Sequence, residues 1–373
     1  MQENTKVDTN WSGDRRAVLK SIGAGMAATA LSSGIAATGG AQTSGDIRTG
    51  SAQPPVAASH PSGVITRKIP STGEELPVIG LGTFFTFDVL PGQPRDHLRQ
   101  VIQTYWDGGA RVIDTSPLYG SGEISVGAFA TALGIADNVF FTDKIWSTGD
   151  YLGDESHALR SLRLTRERLW RQRIDVMQVH SLINVEIILP YLRAWKKEGH
   201  IRYAGVTHYE DLYLPPLIGW VERGNLDFVQ TRYSIFNRKA EERLLPAAAE
   251  RGIAVLTNMP FEKARLFKIV EGRELPGFAS EIGAASWAAF FLKWVISHPN
   301  VTCALPSTSN PAHAAENVEA LRGPLPDREM RARMVRYMEG IPGFNEIEKM
   351  PWYPGKHYNG LIAQAQTALR ARS

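Results

Sequence analysis

From Val78 onward, short apolar and β-branched runs alternate with stretches whose apolar residues recur every three to four positions. The runs are VIGLGTFF (78–85), RVIDTS (111–116), VFFTDKI (139–145), IDVMQVH (174–180), IRYAGVTH (201–208), FVQTRYS (228–234), IAVLTNMP (253–260) and VTCALPST (301–308), and each reads as a strand. Segments 96–108, 154–171, 187–199, 240–252, 280–298 and 311–323 read as helices. Strand then helix, repeated eight times in about 245 residues, predicts an α/β fold closed into a parallel (β/α)8 barrel of the TIM type. The piece GVITRKIPSTGEELPV (63–78) has hairpin character and is expected to plug the N-terminal mouth of the barrel. One more helix, 327–338, follows the eighth, and then comes a Pro/aromatic tail without clear periodicity. The barrel is therefore assigned to 63–340 and a C-terminal extension to 341–373, with no second domain expected.

The N-terminal stretch has a different pattern. Asp14-Arg15-Arg16-Ala17-Val18-Leu19-Lys20 precedes an uncharged Ala/Gly/Ser-rich run to about Ala41, the order of a twin-arginine export signal. A spanning helix wants about twenty strongly apolar residues, and this run is only weakly hydrophobic. Residues 1–41 are expected to be a signal peptide cleaved near Gly39-Gly40-Ala41, and 42–62 a flexible linker. The expected partner is the twin-arginine export machinery. The expected location is periplasmic or secreted, or membrane-anchored if the leader is retained.

Composition narrows the function classes. With 43% hydrophobic and 21% charged residues, the 373-residue chain is globular in character, long enough for one barrel or two ordinary domains. A net charge of +3 without a long basic run argues against nucleic acid and makes a small molecule the expected partner. The single cysteine, Cys303 in VTCALP, excludes an intramolecular disulfide and reads as a packed core thiol. No His/Cys/Asp/Glu cluster has metal-ligand spacing, so no metal is expected.

The candidate chemistry lies at strand ends, which in such a barrel carry the active site. GGARVIDTSPLYGSGE (108–123) delivers Asp114 and Tyr119, VFFTDK ends on Lys144, and IDVMQVH ends on His180. Singly, each has a bland reading: an N-cap, a surface strand end or a hydrogen-bonded core histidine. Together, on three consecutive strands, they suit protonation of an oxygen whose carbon is being attacked, which is carbonyl reduction. A free phenol has a pKa near 10. A lysine cation beside it is expected to lower that value, a carboxylate to hold the lysine charged, and a histidine to hydrogen-bond the substrate oxygen.

These residues also carry a resemblance. RKIPSTGEELPVIGLGTF (67–84), GARVIDTSPLYGSGE, TDKIW, DVMQVHSL, KEGHIRYAGVTHY, DFVQTRYSIFNR and ALPSTSNPAHAAENV (304–318) resemble the aldo-keto reductase superfamily in order and over nearly the whole body after the linker. The resemblance implies a barrel that binds NADPH or NADH across its top without a Rossmann loop. It implies Tyr119 as general acid, assisted by Lys144 and Asp114, with His180 positioning the carbonyl of an aldehyde or ketone substrate, or the alcohol in reverse. Phe84 and Trp146 match aromatic substrate-pocket positions.

For the cofactor, the resemblance implies contacts from Gly82 and Thr83, Thr207 and His208, Gln230, Asn258 with Pro260 and Phe261, and Ser307, Thr308, His313, Glu316 and Asn317. Thr207-His208 stands where the family usually has Ser-Asn, and Asn258 where an aromatic ring often stacks on the nicotinamide. Ser307 and His313 occupy the places of the lysine and arginine that hold a 2′-phosphate, leaving Glu316 and Asn317 on the adenine side. NADP(H) is the expected cofactor and NAD the alternative. The family also makes a monomer the expected state. Free NADPH is not expected outside the cytoplasm, so an exported member is expected to carry its cofactor bound. The departures at His208 and Asn258 motivate an alternative, a cofactor-binding regulatory or sensor barrel with negligible turnover.

Overall fold

The computed structural model describes residues 61–146 and 156–370. The expected leader, 1–41, and all but the last two residues of the expected linker, 42–62, lie outside the described residues. No helix among the described residues is long and apolar enough to cross a membrane.

The chain opens with an antiparallel hairpin, β1 (Thr66–Lys68) and β2 (Glu75–Pro77), in which Arg67 faces Leu76. Eight parallel strands follow: β3 (Leu81–Gly82), β4 (Val112–Asp114), β5 (Phe140–Ile145), β6 (Ile174–His180), β7 (Ile201–His208), β8 (Phe228–Arg232), β9 (Ala254–Asn258) and β10 (Cys303–Ala304). Each pairs with the next in chain order. Parallel bridges Ile79–Ala304 and Gly82–Ser307 then join the last strand to the first. The sheet is closed, as the alternation predicts. Closure brings backbones close together: a Cβ on Gly80 would lie 2.8 Å from the Cβ of Val112 and 3.0 Å from Leu305, so only glycine fits there.

The helices are α1 (Asp96–Gly108), α2 (Gly122–Ala132), α3 (Ser156–Leu169), α4 (Val185–Lys197), α5 (Leu214–Arg223), α6 (Leu244–Glu250), α7 (Arg265–Ile269), α8 (Trp287–Ile296), α9 (Pro311–Glu319), α10 (Arg328–Glu339) and α11 (Leu361–Arg370). Helix α1 shows why they form: Leu98, Val101, Ile102 and Tyr105 recur at helical spacing, and that face is the buried one. Ser286, Asn310 and Asp327 cap α8, α9 and α10, each side chain accepting a backbone N–H of the first turn.

The apolar interior has two parts. The larger lies between helices and strands, and the smaller fills the bottom of the barrel with Val112, Phe140, Val176, Phe228 and Leu256. Ile69 and Leu76 of the hairpin belong to the smaller part, so the hairpin seals the barrel floor. Burying a side chain of that size contributes roughly 1.5–3 kcal/mol.

Some boundaries differ from the sequence pattern. The helix expected over 280–298 starts at Trp287, where Ser286 caps it, and a 3-10 turn, Gly277–Ile282, precedes it. The helix expected over 240–252 splits into a 3-10 turn, Lys239–Glu241, and α6. The first and last barrel strands are two residues long, because the chain leaves the ladder where the sheet closes. The tail has elements that its sequence does not announce: a 3-10 turn, Phe344–Lys349, which buries Phe344 and Ile347, and α11.

Candidate active site

Inward and outward side chains alternate along a strand. Phe140 points into the barrel floor, so Thr142 and Lys144 of β5 point inward above it. Val176 does the same for Gln178 and His180 on β6, and Phe228 for Gln230 on β8. The apolar floor therefore sets the height of a polar layer near the C-terminal ends of the strands.

That layer is built around one ion pair. Lys144 Nζ donates to both carboxylate oxygens of Asp114 at 2.8 Å and to the carbonyl of Thr115 at 2.7 Å. The Asp114 carboxylate also accepts from Thr142 Oγ1 at 2.5 Å and Gln230 Nε2 at 2.9 Å. Thr207 Oγ1 donates to Gln230 Oε1 at 3.0 Å, tying in β7. Both charged side chains are buried, at 1% and 7% exposure. A pair so desolvated persists only because its hydrogen bonds are filled, and removing one partner leaves a buried, uncompensated charge.

Tyr119 is brought over this pair by the loop after β4. Ser116 makes the loop fold back: its Oγ accepts from Leu118 N at 3.2 Å, and its carbonyl accepts from Tyr119 N at 2.9 Å. The Lys144 ammonium then lies 5.0 Å from the centre of the Tyr119 ring. Phe84 meets that ring edge-on at 5.0 Å and His180 at 5.9 Å. His180 Nδ1 is 3.2 Å from the Ser116 hydroxyl. Ser116 Oγ accepts from Leu118 N, and its O–H can donate to Nδ1, the arrangement that goes with the ring proton on Nε2.

Electrostatics separate the roles these groups can take. Burial pushes the Tyr119 phenol up and outweighs the downward pull of Lys144; with Asp114 adding to the rise, the value is about 12. The expected lowering by the lysine is present but loses to desolvation, so the phenol keeps its proton through the neutral range. Burial pulls Lys144 down, yet Asp114 and its neighbours more than reverse this and the ammonium stays charged. Burial, then Lys144 and His208, drop His180 to about 3, so its imidazole is neutral.

The remaining sequence-predicted residues fall into two groups. Thr83 Oγ1 donates to the Asp114 carbonyl at 2.9 Å, and Gly82 lies on the closure seam with its N–H on the Pro306 carbonyl at 2.9 Å. Trp146 follows β5 and is half-buried. His208 ends β7, stacked on Tyr213 at 4.1 Å, with Nδ1 accepting from Glu210 N at 3.1 Å. Asn258 ends β9, and its buried Oδ1 has no hydrogen-bond partner among the described residues. Ser307 pairs with Thr86 at 2.7 Å, and Thr308 Oγ1 accepts from Asn310 N at 3.0 Å just before α9.

The others stand apart from the Asp114–Lys144 pair. Pro260 is buried, and Phe261 packs on Phe267 and Phe291 in the core. His313 is exposed on α9 and Glu316 half-buried, while Asn317 is buried with its Nδ2 on the Tyr105 hydroxyl at 2.8 Å. Two bracing residues escaped the sequence reading, Thr142 and Ser116. Thr142 has a signal in hindsight, since it precedes Lys144 by two on the same strand face. Ser116 has none beyond its place in a turn.

The chain is similar to proteins already known. The family model described as Aldo/keto reductase family matches residues 78–333. Among curated proteins, "Aldo-keto reductase YhdN" of Bacillus subtilis (strain 168) is 27% identical over 199 residues, which are 50% of this chain and 59% of that protein. The chain thus spans about three-fifths of that relative's length. The "NADP-dependent D-sorbitol-6-phosphate dehydrogenase" of Malus domestica is 23% identical over 298 residues, 70% of this chain and 90% of that protein. Among solved structures, an aldo-keto reductase from Klebsiella pneumoniae in complex with NADPH superimposes with a TM-score of 0.61 at 22% identity, covering 80% of this chain and 99% of that one.

Proposed function

The chain belongs to the aldo/keto reductase family, and on that premise we propose that it is an NADP(H)-dependent oxidoreductase that reduces an aldehyde or ketone, with Tyr119 as the proton donor. The observation that carries this reading is the buried Asp114–Lys144 pair set directly against the Tyr119 ring. NADP(H) is preferred to NAD(H) because the apple relative is named as NADP-dependent and the Klebsiella structure holds NADPH. The residues present fit such a cofactor. The orphaned Asn258 Oδ1 is an acceptor awaiting an N–H donor such as a carboxamide, and Thr207 and His208 stand at the end of β7, across β8 from it. When bound, the cofactor supplies the hydride.

The protein's own residues supply the rest. His180, neutral and with its proton on Nε2, donates a hydrogen bond to the carbonyl oxygen and orients it. Tyr119 transfers its phenolic proton to the oxygen as negative charge develops there, and an alkoxide is a stronger base than a phenolate even when the phenol's pKa is about 12. Lys144 stabilises the phenolate left behind, and Asp114 keeps Lys144 charged and in place. Replacing Tyr119 with Phe is expected to lower turnover by about 10²–10⁴ with nucleotide affinity unchanged, measured by steady-state kinetics and nucleotide titration. Near-normal turnover in that variant would remove Tyr119 from the mechanism.

The Arg15-Arg16 leader pattern supports export by the twin-arginine route, with the cofactor loaded before transport and retained afterwards. Fractionation of the producing cells, with the absorbance and mass of any nucleotide released from the purified protein, tests both. A cytoplasmic protein that still bears residues 1–41 would end the export proposal.

A further inference from the structure

Tyr119 hangs on a short loop between two anchors. One is the turn at Ser116; the other is the start of α2, where Gly122 N donates to the Tyr119 carbonyl at 2.9 Å. The first N–H groups of a helix have no partner inside it and form its positive end. Ser121 stands in the capping position of α2, yet its side chain makes no cap. Its hydroxyl turns instead to the loop after β3, where it donates to the Val89 carbonyl and accepts from Val89 N, both at 2.8 Å.

Asp88 supplies the cap from that neighbouring loop. Its Oδ1 accepts from Ser121 N at 3.0 Å, and its Oδ2 accepts from Ile362 N at 2.8 Å. The tail thereby forms a strap between two loops, since Tyr353 N donates to the Lys263 carbonyl at 2.9 Å after β9. Asp88 is 5% exposed, and among the described residues no lysine, arginine or histidine pairs with it. A carboxylate buried in this way is held by backbone N–H groups and the positive helix end rather than by a cation. Two glycines make room for it: a Cβ on Gly120, the residue after Tyr119, or on Gly360 would overlap the Asp88 carboxylate. Gly120 also has φ +60°, in the region that favours glycine.

The loop that carries Asp88 is itself tied to the barrel. Thr83 Oγ1 donates to the Asp114 carbonyl at 2.9 Å, Thr86 pairs with Ser307 at 2.7 Å, and Phe87 is fully buried. Asp88 therefore fixes the start of α2 against the strand that carries Asp114. If that start drifts, Tyr119 drifts with it, away from the ammonium 5.0 Å from its ring centre. Misplacing a reacting group by about 1 Å can cost about a hundredfold in rate.

We propose that Asp88 is a positioning residue for the proton donor: it caps α2 from the loop after β3 and so holds the Tyr119 phenol over the Asp114–Lys144 pair. This rests on Tyr119 acting as the donor, as proposed above. The test follows reduction of propanal by NADPH, with nucleotide titration alongside, in the full-length protein and its Asp88→Ala, Asp88→Asn, Tyr119→Phe and Asp88→Ala/Tyr119→Phe variants. Asp88→Ala is expected to lower kcat about thirtyfold, with nucleotide affinity within about threefold of the wild type. Asp88→Asn keeps an oxygen for Ser121 N, where the helix end favours it, and is expected to restore kcat to within about threefold. In the Tyr119→Phe background there is no phenol left to place, so adding Asp88→Ala should lower the residual rate by less than about threefold. A full thirtyfold loss in the double variant would mean that Asp88 acts on something other than Tyr119, and would overturn the proposal. So would an unimpaired Asp88→Ala, an Asp88→Asn as poor as Asp88→Ala, or an Asp88→Ala protein that no longer binds nucleotide, which would make Asp88 a folding residue. A Tyr119→Phe variant as fast as the wild type would instead defeat the proton-donor reading on which the proposal stands.

Discussion

The floor and the roof of the site are built by different means. The floor, Asp114, Lys144, Thr142, Gln230 and Thr207, stands on four barrel strands and closes on itself through hydrogen bonds of 2.5–3.0 Å. The roof, Phe85, Lys263, Trp352, Tyr353 and Tyr358, stands on loops and a tail and is held by ring contacts and single backbone bonds. Charge in the floor is satisfied in a dry interior; in the roof it rests on aromatic faces next to water. The difference teaches where to expect chemistry: the reacting groups need fixed geometry.

The largest expected effect belongs to Tyr119, which the loop after β4 sets on the floor. Oxidation of an alcohol needs Tyr119 as phenolate, and with the phenol at about 12 that form grows about tenfold per pH unit below this value. The kcat/KM for oxidation should therefore rise roughly a thousandfold from pH 7 to pH 10, while that for reduction, which uses the phenol, stays nearly level. A flat oxidation profile would show that the floor does not hold its proton as tightly as its burial implies. The pH–rate profile in both directions checks this.

The two lysines give the direct contrast. Lys144→Met leaves the Asp114 carboxylate buried without its cation and should cost about 3–5 kcal/mol of stability, with loss of turnover. Lys263→Met removes a cation from the faces of Trp352 and Tyr209 and should cost about 1 kcal/mol or less. Burial already pulls Lys263 down to about 7, so part of its charge is surrendered in the folded state. Denaturant titration of both variants decides. Equal costs would erase the distinction between floor and roof.

The same division explains what could be read from the sequence. Asp114, Lys144 and His180 end apolar runs whose two-residue period fixes the inward face, so the pattern alone places them on one rim. The eight strands, and α1 to the residue, follow from periodicity. The roof has no such period. Its contacts join residues far apart in sequence, Phe85 to Tyr358 and Lys263 to Trp352. Its backbone turns left-handed at Phe85, Met259, Glu262, Lys263, Ala264 and Tyr353, none of them glycine, so the usual mark of such a turn is missing. The direction of the Tyr119 shift was equally hidden: the sequence puts a lysine beside the phenol, but the desolvation that outweighs it comes from the packed fold.

The smallest effect is the most specific to the roof. Trp352 is about half exposed, so its removal creates no internal cavity. What it loses is the face on which Lys263 rests and its edge contact with Tyr209 at 6.2 Å. Trp352→Ala should therefore change the stability of the barrel by about 1 kcal/mol or less, inside the range of an exposed cation–π contact. Its consequence should appear in exchange instead. With one anchor of the strap gone, backbone amides bonded across the seam, Tyr353 N to the Lys263 carbonyl and Ile362 N to Asp88, should exchange with deuterium faster than in the wild type. Amides of β5 and β6 beneath the site should keep their rates. Acceleration reaching those strands would mean that floor and roof open as one unit, and unchanged exchange at Tyr353 and Ile362 would mean that Trp352 does not anchor the strap.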